Sequence, residues 1–182
     1  PIREIGRIAK ANNIIFHTDA CQAGCSQDID VKALGVDMMT LNGSKIYGPK
    51  GIGILYRRKG ISLQPVVYGG GQEFGLRSGT ENVPGIVGFA RALELVQKNK
   101  EKENKRLIKL RDKLIKGLLK IPDTILNGHP TERLPNSANI TFLNIEGEAM
   151  MMYLNEEGIC ASSGSACTSK SLDPSHVILA TG

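Results

Sequence analysis

Apolar residues recur at Ile2, Ile5 and Ile8 with polar residues between them, which predicts an amphipathic helix over residues 2–12. The run Ile14-Ile15-Phe16 is continuous and β-branched, and it predicts a buried strand that ends in His17-Thr18-Asp19-Ala20. A short helical turn over 31–34 is stopped by Gly35. Strands are predicted over 36–41 and 52–57, with Asn42-Gly43-Ser44-Lys45 at the end of the first. Helix, strand, short helix, strand is the rhythm of an α/β layer.

A glycine-rich loop follows at Gly69-Gly70-Gly71 and continues over 75–80. Pro84 suits the first position of a helix. Val83, Ile86, Val87, Ala90, Leu93 and Val96 form one apolar stripe, and Leu107, Leu110, Leu114 and Leu118 a second. The charged stretch between them stays helical while facing water, so one long helix is predicted from about 84 to 120. After Ile121-Pro122 the pattern becomes that of a smaller α+β unit. It has strands over 124–127 and 137–142, a helix over 146–157 and a strand over 159–162. The boundary between the two units falls inside the long helix.

Composition adds limits. The chain has 182 residues, 41% hydrophobic and 23% charged, an ordinary balance for a folded domain. No apolar run reaches the length of a membrane span, and the first residues have no signal-peptide pattern, so a cytoplasmic protein is expected. The net charge is +5. Much of the positive charge lies over 98–120 among acidic residues, the pattern of a solvated helix face. With 4 Tyr, 4 Phe and no Trp, the interleaving of basic and aromatic residues used on single strands is missing, and no nucleic-acid partner is expected. The cysteines Cys21, Cys25, Cys160 and Cys167 have neither disulfide-framework nor zinc-pair spacing. Cys21 and Cys25 read as structural, and Cys160 as a buried strand residue.

Two segments carry candidate chemistry. In Asn42-Gly43-Ser44-Lys45-Ile46-Tyr47-Gly48-Pro49-Lys50-Gly51, a lysine stands at a strand end among small residues. Asn42 and Ser44 offer neutral donors to a phosphate, and Gly43 and Gly51 would let backbone approach a ligand. Gly43 and Gly48 have P-loop spacing, but Pro49 removes an N–H and Gly51 replaces the hydroxyl residue, so a P-loop is set aside. The bland alternative is a glycine-rich turn with surface lysines. Upstream, Asp19 sits at the carboxyl end of a strand, where open α/β sheets bind ligands. It could pair with a protonated pyridine nitrogen, and Gln22 with a phenolic oxygen. His17 reads as a packed structural residue. The second segment, Ser162-Ser163-Gly164-Ser165-Ala166-Cys167-Thr168-Ser169, surrounds a thiol with small residues, as an accessible nucleophile requires. Its bland alternative is a serine-rich connector.

The Cys167 segment resembles the active-cysteine loop of the cysteine desulfurases, in the class V aminotransferase group. The stretch from Gly43 to Gly51 resembles their cofactor-lysine motif, and His17-x-Asp19-Ala20-x-Gln22 is similar to their pyridine-nitrogen segment. Gly69-Gly70-Gly71-Gln72-Glu73-x-Gly75-x-Arg77-Ser78-Gly79-Thr80 resembles their loop at the dimer interface. The resemblance implies a fold-type-I, pyridoxal-phosphate-dependent homodimer. Residues 1–101 would belong to the large cofactor-binding domain and 102–182 to a small domain. Lys45 would hold the cofactor as a Schiff base and carry protons, Asp19 and Gln22 would meet its ring, and Asn42 and Ser44 its phosphate. Thr80 would reach the phosphate of the second subunit. Cys167 would take sulfur from L-cysteine as a persulfide, leaving alanine, and pass it to an iron–sulfur scaffold or other acceptor. In some members of the family the matching cysteine also ligates a cluster shared with that scaffold, which makes Cys167 a candidate metal ligand only in that setting.

Two cofactor positions depart from the family, which often has Ser and His where this chain has Asn42 and Ser44. The family's upstream phosphate turn, its ring-stacking histidine and its substrate-binding arginine have no match here. The chain is therefore expected to need an upstream half for activity. The competing classes are a non-catalytic fragment that docks a sulfur acceptor and a related pyridoxal enzyme such as a selenocysteine lyase.

Overall fold

The computed structural model describes residues 1–162 and 175–180. The loop with Cys167 lies outside them. The chain forms two compact units, Pro1–Asn104 and Lys105–Gly182. The first carries α1 (Ile2–Ala11), β1 (His17–Asp19), α2 (Val31–Leu34), β2 (Met38–Asn42), a 3-10 turn (Gly43–Lys45) and β3 (Gly53–Arg57). A second 3-10 turn (Glu73–Gly75) precedes α3 (Val83–Leu118), whose first half belongs to this unit and second half to the next. The second unit adds β4 (Thr124–Leu126), β5 (Ile140–Phe142), α4 (Gly147–Glu156) and α5 (His176–Leu179).

In the first unit β2 is the central strand. It pairs in parallel with β1, Asp19 opposite Thr40, and antiparallel with β3, Asn42 opposite Gly53. The parallel pairing requires the crossover through α2. Asp30 caps α2 by accepting from the Lys32 and Ala33 amides, and Gly35 ends it at φ 68°, a left-handed conformation that glycine adopts without strain. Gly6 lets α1 approach this end, because a Cβ there would lie 2.7 Å from the Leu34 carbonyl oxygen. The core joins Ala20, Val36, Met39, Leu41, Ile46 and Phe89, so one helical residue of α3 seals the sheet and both turns that leave it.

The mixed α/β class and the long helix agree with the sequence reading, but four local expectations do not. The strand lies at His17–Asp19, not over 14–16. Ile14 donates its N–H to Ala9 O, extending the end of α1, and Ile14 and Ile15 are exposed. On α3 the inward face is Gly85, Phe89, Ala92, Leu93 and Val96, whereas Val83, Ile86, Val87 and Ala90 face outward. Residues 159–162 form no strand, and Cys160 is exposed rather than buried.

The second unit pairs β4 with β5 antiparallel. Arg111 is buried there; its guanidinium donates to the Arg133 and Leu134 carbonyls at 3.2 Å and meets the Asp112 carboxylate. Arg133 in turn donates to His129 O and Asn127 O, so the connection between β4 and β5 is held by side-chain donors on backbone carbonyls. No described helix is long and apolar enough to cross a membrane.

Candidate cofactor site

The carboxyl ends of the parallel strands β1 and β2 bring the first group of candidates together. Asp19 is the last residue of β1 and Asn42 the last of β2. This is where ligands meet open α/β sheets. After Asp19 the chain turns sharply: Ala23 and Gly24 both donate to Ala20 O. Asp19 Oδ1 accepts the Cys21 amide at 2.9 Å. That contact with Cys21, through its side chain and backbone, holds the Asp19 carboxyl below the usual carboxylate range. Desolvation, with the Asp19 carboxylate beside it, pushes the Cys21 thiol up to about 11, against a lowering pull from the Lys45 ammonium. Lys45 is thus within electrostatic range of the Asp19–Cys21 turn. Gln22 lies exposed in the same turn.

Asn42 caps the turn that carries Lys45. Its Oδ1 accepts both the amide and the hydroxyl of Ser44, each at 2.9 Å. The amide must find an acceptor, so the side-chain oxygen points to Ser44 and the Asn42 NH₂ faces away from it. The two phosphate candidates are therefore unequal: the Ser44 proton is committed to Asn42, whereas Asn42 retains two N–H donors. Beyond Ser44, Ile46 is fully buried, which anchors the chain one residue past Lys45, while Lys45 itself is exposed. Gly43 serves the chain rather than a ligand. A Cβ there would lie 2.8 Å from both Pro49 O and Ile52 Cγ2. Gly51, at φ 75°, has open space around it.

Thr80 is exposed between the Gly79 turn and α3, and no described hydrogen bond ties it to the Asp19–Lys45 group. Ahead of it, Gly79 N–H donates to Gln72 Oε1 at 3.1 Å and Ser78 N–H to Val67 O. On this loop Phe74 is almost wholly exposed and Tyr68 largely so. His17 is exposed rather than packed, because β1 is not a buried strand, and its ring bonds Thr40 Oγ1 at 2.8 Å across the β1–β2 pair. The described residues hold no cluster of three or more metal-ligating side chains. Two side chains that the sequence reading did not place at the site touch it from behind. Cys25 donates its thiol to Lys45 O, and Gln97 of α3 donates to Gly24 O and Gln27 O.

A carboxylate held ionised, a lysine at an adjacent strand end and amide donors beside it are the groups that a pyridine ring with an aldehyde and a phosphate needs. The donor set therefore fits pyridoxal phosphate. Residues 1–182 match the class-V aminotransferase family, and the chain belongs to it. Among relatives, it is 58% identical over 182 residues to the cysteine desulfurase IscS of Methanosarcina thermophila, covering 100% of this chain and 45% of that protein. It is 54% identical to the cysteine desulfurase of Trichormus azollae, covering 100% of this chain and 46% of the relative. Among solved structures, a NifS-like protein from Rickettsia africae superposes with a TM-score of 0.85 at 38% identity, over 90% of this chain and 46% of that one. SspA in complex with cysteine superposes at 0.72 and 37% identity, over 100% and 50% of the two chains. The chain thus spans about half the length of the proteins it matches.

Proposed function

We propose that this chain is the part of a pyridoxal-phosphate-dependent cysteine desulfurase that carries the cofactor lysine, Lys45, and the sulfur-accepting cysteine, Cys167. The observation that carries the reading is that Asp19 ends β1 and Lys45 stands in the turn that leaves the paired strand β2, in a chain of this family. When bound, the cofactor supplies an electron sink for the α-carbon of an amino acid. Asp19 keeps a proton on the pyridine nitrogen by remaining ionised beside it. Gln22 donates to the phenolic oxygen. Asn42 donates through its NH₂ to the phosphate, and Ser44 turns its hydroxyl from Asn42 to join it. Lys45 Nζ would hold the cofactor covalently, and as a free amine it would carry a proton at the substrate α-carbon. The Cys167 thiolate attacks the sulfur of L-cysteine. An S–S bond forms as the Cβ–S bond breaks, and the three-carbon product leaves as alanine after protonation.

The same reading makes the protein a homodimer in which Thr80 reaches the second subunit's phosphate. The exposed Tyr68 and Phe74 beside that segment are what a covered loop would use. It also places the enzyme in the cytoplasm and gives it an upstream half, with an iron–sulfur scaffold as the acceptor of the Cys167 persulfide. In a shared cluster, Cys167 would be the ligand.

The test is to add pyridoxal phosphate, reduce with borohydride and locate the adduct by peptide mass, with and without a polypeptide supplying the upstream half. The expected adduct is on Lys45 when that half is present. No adduct on Lys45 in either case sinks the reading and leaves a non-catalytic docking fragment. In the assembled protein Cys167→Ser should lose alanine production from L-cysteine while keeping the Lys45 adduct. Selenocysteine as the preferred substrate would move the assignment to a lyase.

A further inference from the structure

The turn that bears Gln22 and follows Asp19 is fastened from behind by one face of α3. Gln97 Nε2 donates to Gly24 O at 2.8 Å and to Gln27 O at 3.0 Å. One turn on, Lys100 pairs with Asp28, and one further turn on, Asn104 Nδ2 donates to Ser26 O at 2.8 Å. Three side chains at helical spacing thus grip four residues of the loop, Gly24, Ser26, Gln27 and Asp28. The same loop is joined to the Lys45 turn. Cys25 Sγ lies 3.2 Å from Lys45 O. Burial pushes the Cys25 thiol up, so it remains a protonated donor at neutral pH. Gly24 beside it fits closely against Ile46: a Cβ at Gly24 would lie 2.9 Å from Ile46 Cγ2.

We propose that Gln97 and Cys25 are positioning residues for Lys45, Gln97 anchoring the loop on α3 and Cys25 passing that anchor to the lysine's own backbone. The proposal rests on the cofactor reading above. Burial of Ile46 by itself would hold the turn but leave the Lys45 carbonyl without the Cys25 thiol as its donor. Neither residue touches the cofactor in this reading; both act through the loop. The arrangement gives Lys45 and Gln22 a common support, so the group that holds the ring and the group that meets its phenolic oxygen move together.

The test uses the assembled protein, with Cys25→Ala, Cys25→Ser and Gln97→Leu. The first readout is amide exchange of the cofactor-free protein at Ile46 and Gly48, whose N–H groups both bond Gly43 O. The second is the pH midpoint of the bound cofactor's absorbance. Cys25→Ala and Gln97→Leu should speed exchange at both amides about fivefold and move the midpoint by about half a unit. Cys25→Ser, which keeps a donor, should restore both readouts. Should Gln97→Leu fail to fold, Cys25→Ala decides alone. Unchanged exchange and midpoint in Cys25→Ala, with Lys45 still labelled, overturn the positioning role and leave the cofactor reading intact. No label on Lys45 in the unsubstituted protein overturns both.

Discussion

Gly43→Ala is the sharpest test of how the Lys45 turn is built. Gly43 is buried between β2 and the loop that returns to β3. Its N–H donates to Ile52 O at 2.9 Å, and its carbonyl accepts from Ile46 and Gly48. An added Cβ would stand 2.8 Å from Pro49 O, 2.8 Å from Ile52 Cγ2 and 3.0 Å from Ile52 O. Two of these three are backbone atoms, which cannot rotate away. Overpacking of this kind costs about 1–3 kcal/mol. Lengthening the Gly43–Ile52 hydrogen bond adds about 1 kcal/mol. The expected loss is therefore about 2–4 kcal/mol. With a urea m-value of about 2 kcal/mol/M, the unfolding midpoint falls by about 1–2 M. Gly51→Ala is the control. It has open space but a φ of 75°, so it should cost only about 1–2 kcal/mol, from backbone strain. The functional consequence separates the two further. Gly43→Ala pushes on the residue next to Ser44 and Lys45, so borohydride labelling of Lys45 in the assembled protein should fall sharply even under conditions where the chain remains folded. Gly51→Ala should label as the parent does. A Gly43→Ala protein within about 0.5 kcal/mol of the parent would refute the reasoning that this glycine is required by the chain's own packing.

Three further outcomes follow from other contacts. Gly6→Ala should destabilise by about 1–3 kcal/mol, read by urea unfolding, because its Cβ would meet the Leu34 and Gly35 carbonyls at 2.7 and 3.0 Å. Arg111→Met should cost about 1–2 kcal/mol by removing the guanidinium donor from the Arg133 carbonyl and leaving Leu134 O with the Ser137 N–H, with faster amide exchange in the β4–β5 connection as the check. The Asp112 contact contributes little to that figure, since its side chain is 57% exposed. Asp37→Asn should be less stable at pH 7 by about 1 kcal/mol. The Phe16 N–H and then Arg58 hold the Asp37 carboxyl below its usual range. Its contribution is therefore full above an unfolded value of about 3.9 and is lost as pH falls through the lower native value, so parent and variant converge in acid. A difference that stays constant from pH 7 down through that window would contradict the assignment.

The turns that carry the candidate cofactor residues were legible because their signals are local. Asp19 and Gln22 lie three positions apart in one turn, and Asn42, Ser44 and Lys45 in another. A strand followed by small residues marks both turns without any knowledge of what they pack against. The strand in front of Asp19 was displaced by three residues for the opposite reason. Ile14-Ile15-Phe16 has β-branched composition, but Ile14 N–H is taken by Ala9 O and Phe16 N–H by Asp37, at 2.9 Å each. Neither partner is predictable from a period. Likewise Val83, Ile86 and Val87 follow a helical stripe, yet the face of α3 against the core is set by Phe89, Ala92, Leu93 and Val96, with Gly88 among them. Gly88 admits Pro49, whose Cγ would lie 2.7 Å from a Cβ placed there.

Invisible in the sequence was the support behind the turns. Gln97 stands some seventy positions from the loop it holds, in a helix face that reads as ordinary solvated polarity. Cys25 read as structural, and its placement gives that word content, since its one described hydrogen bond goes to the backbone of Lys45. A local motif can name the residues that touch a cofactor, because their chemistry must be presented at strand ends. The residues that fix the distance between two such motifs need only be a donor and an acceptor on different elements, and many residue types can supply those. Their identity is then written in tertiary contacts, and a site read from motifs alone has its contacting residues without the support that holds them in register.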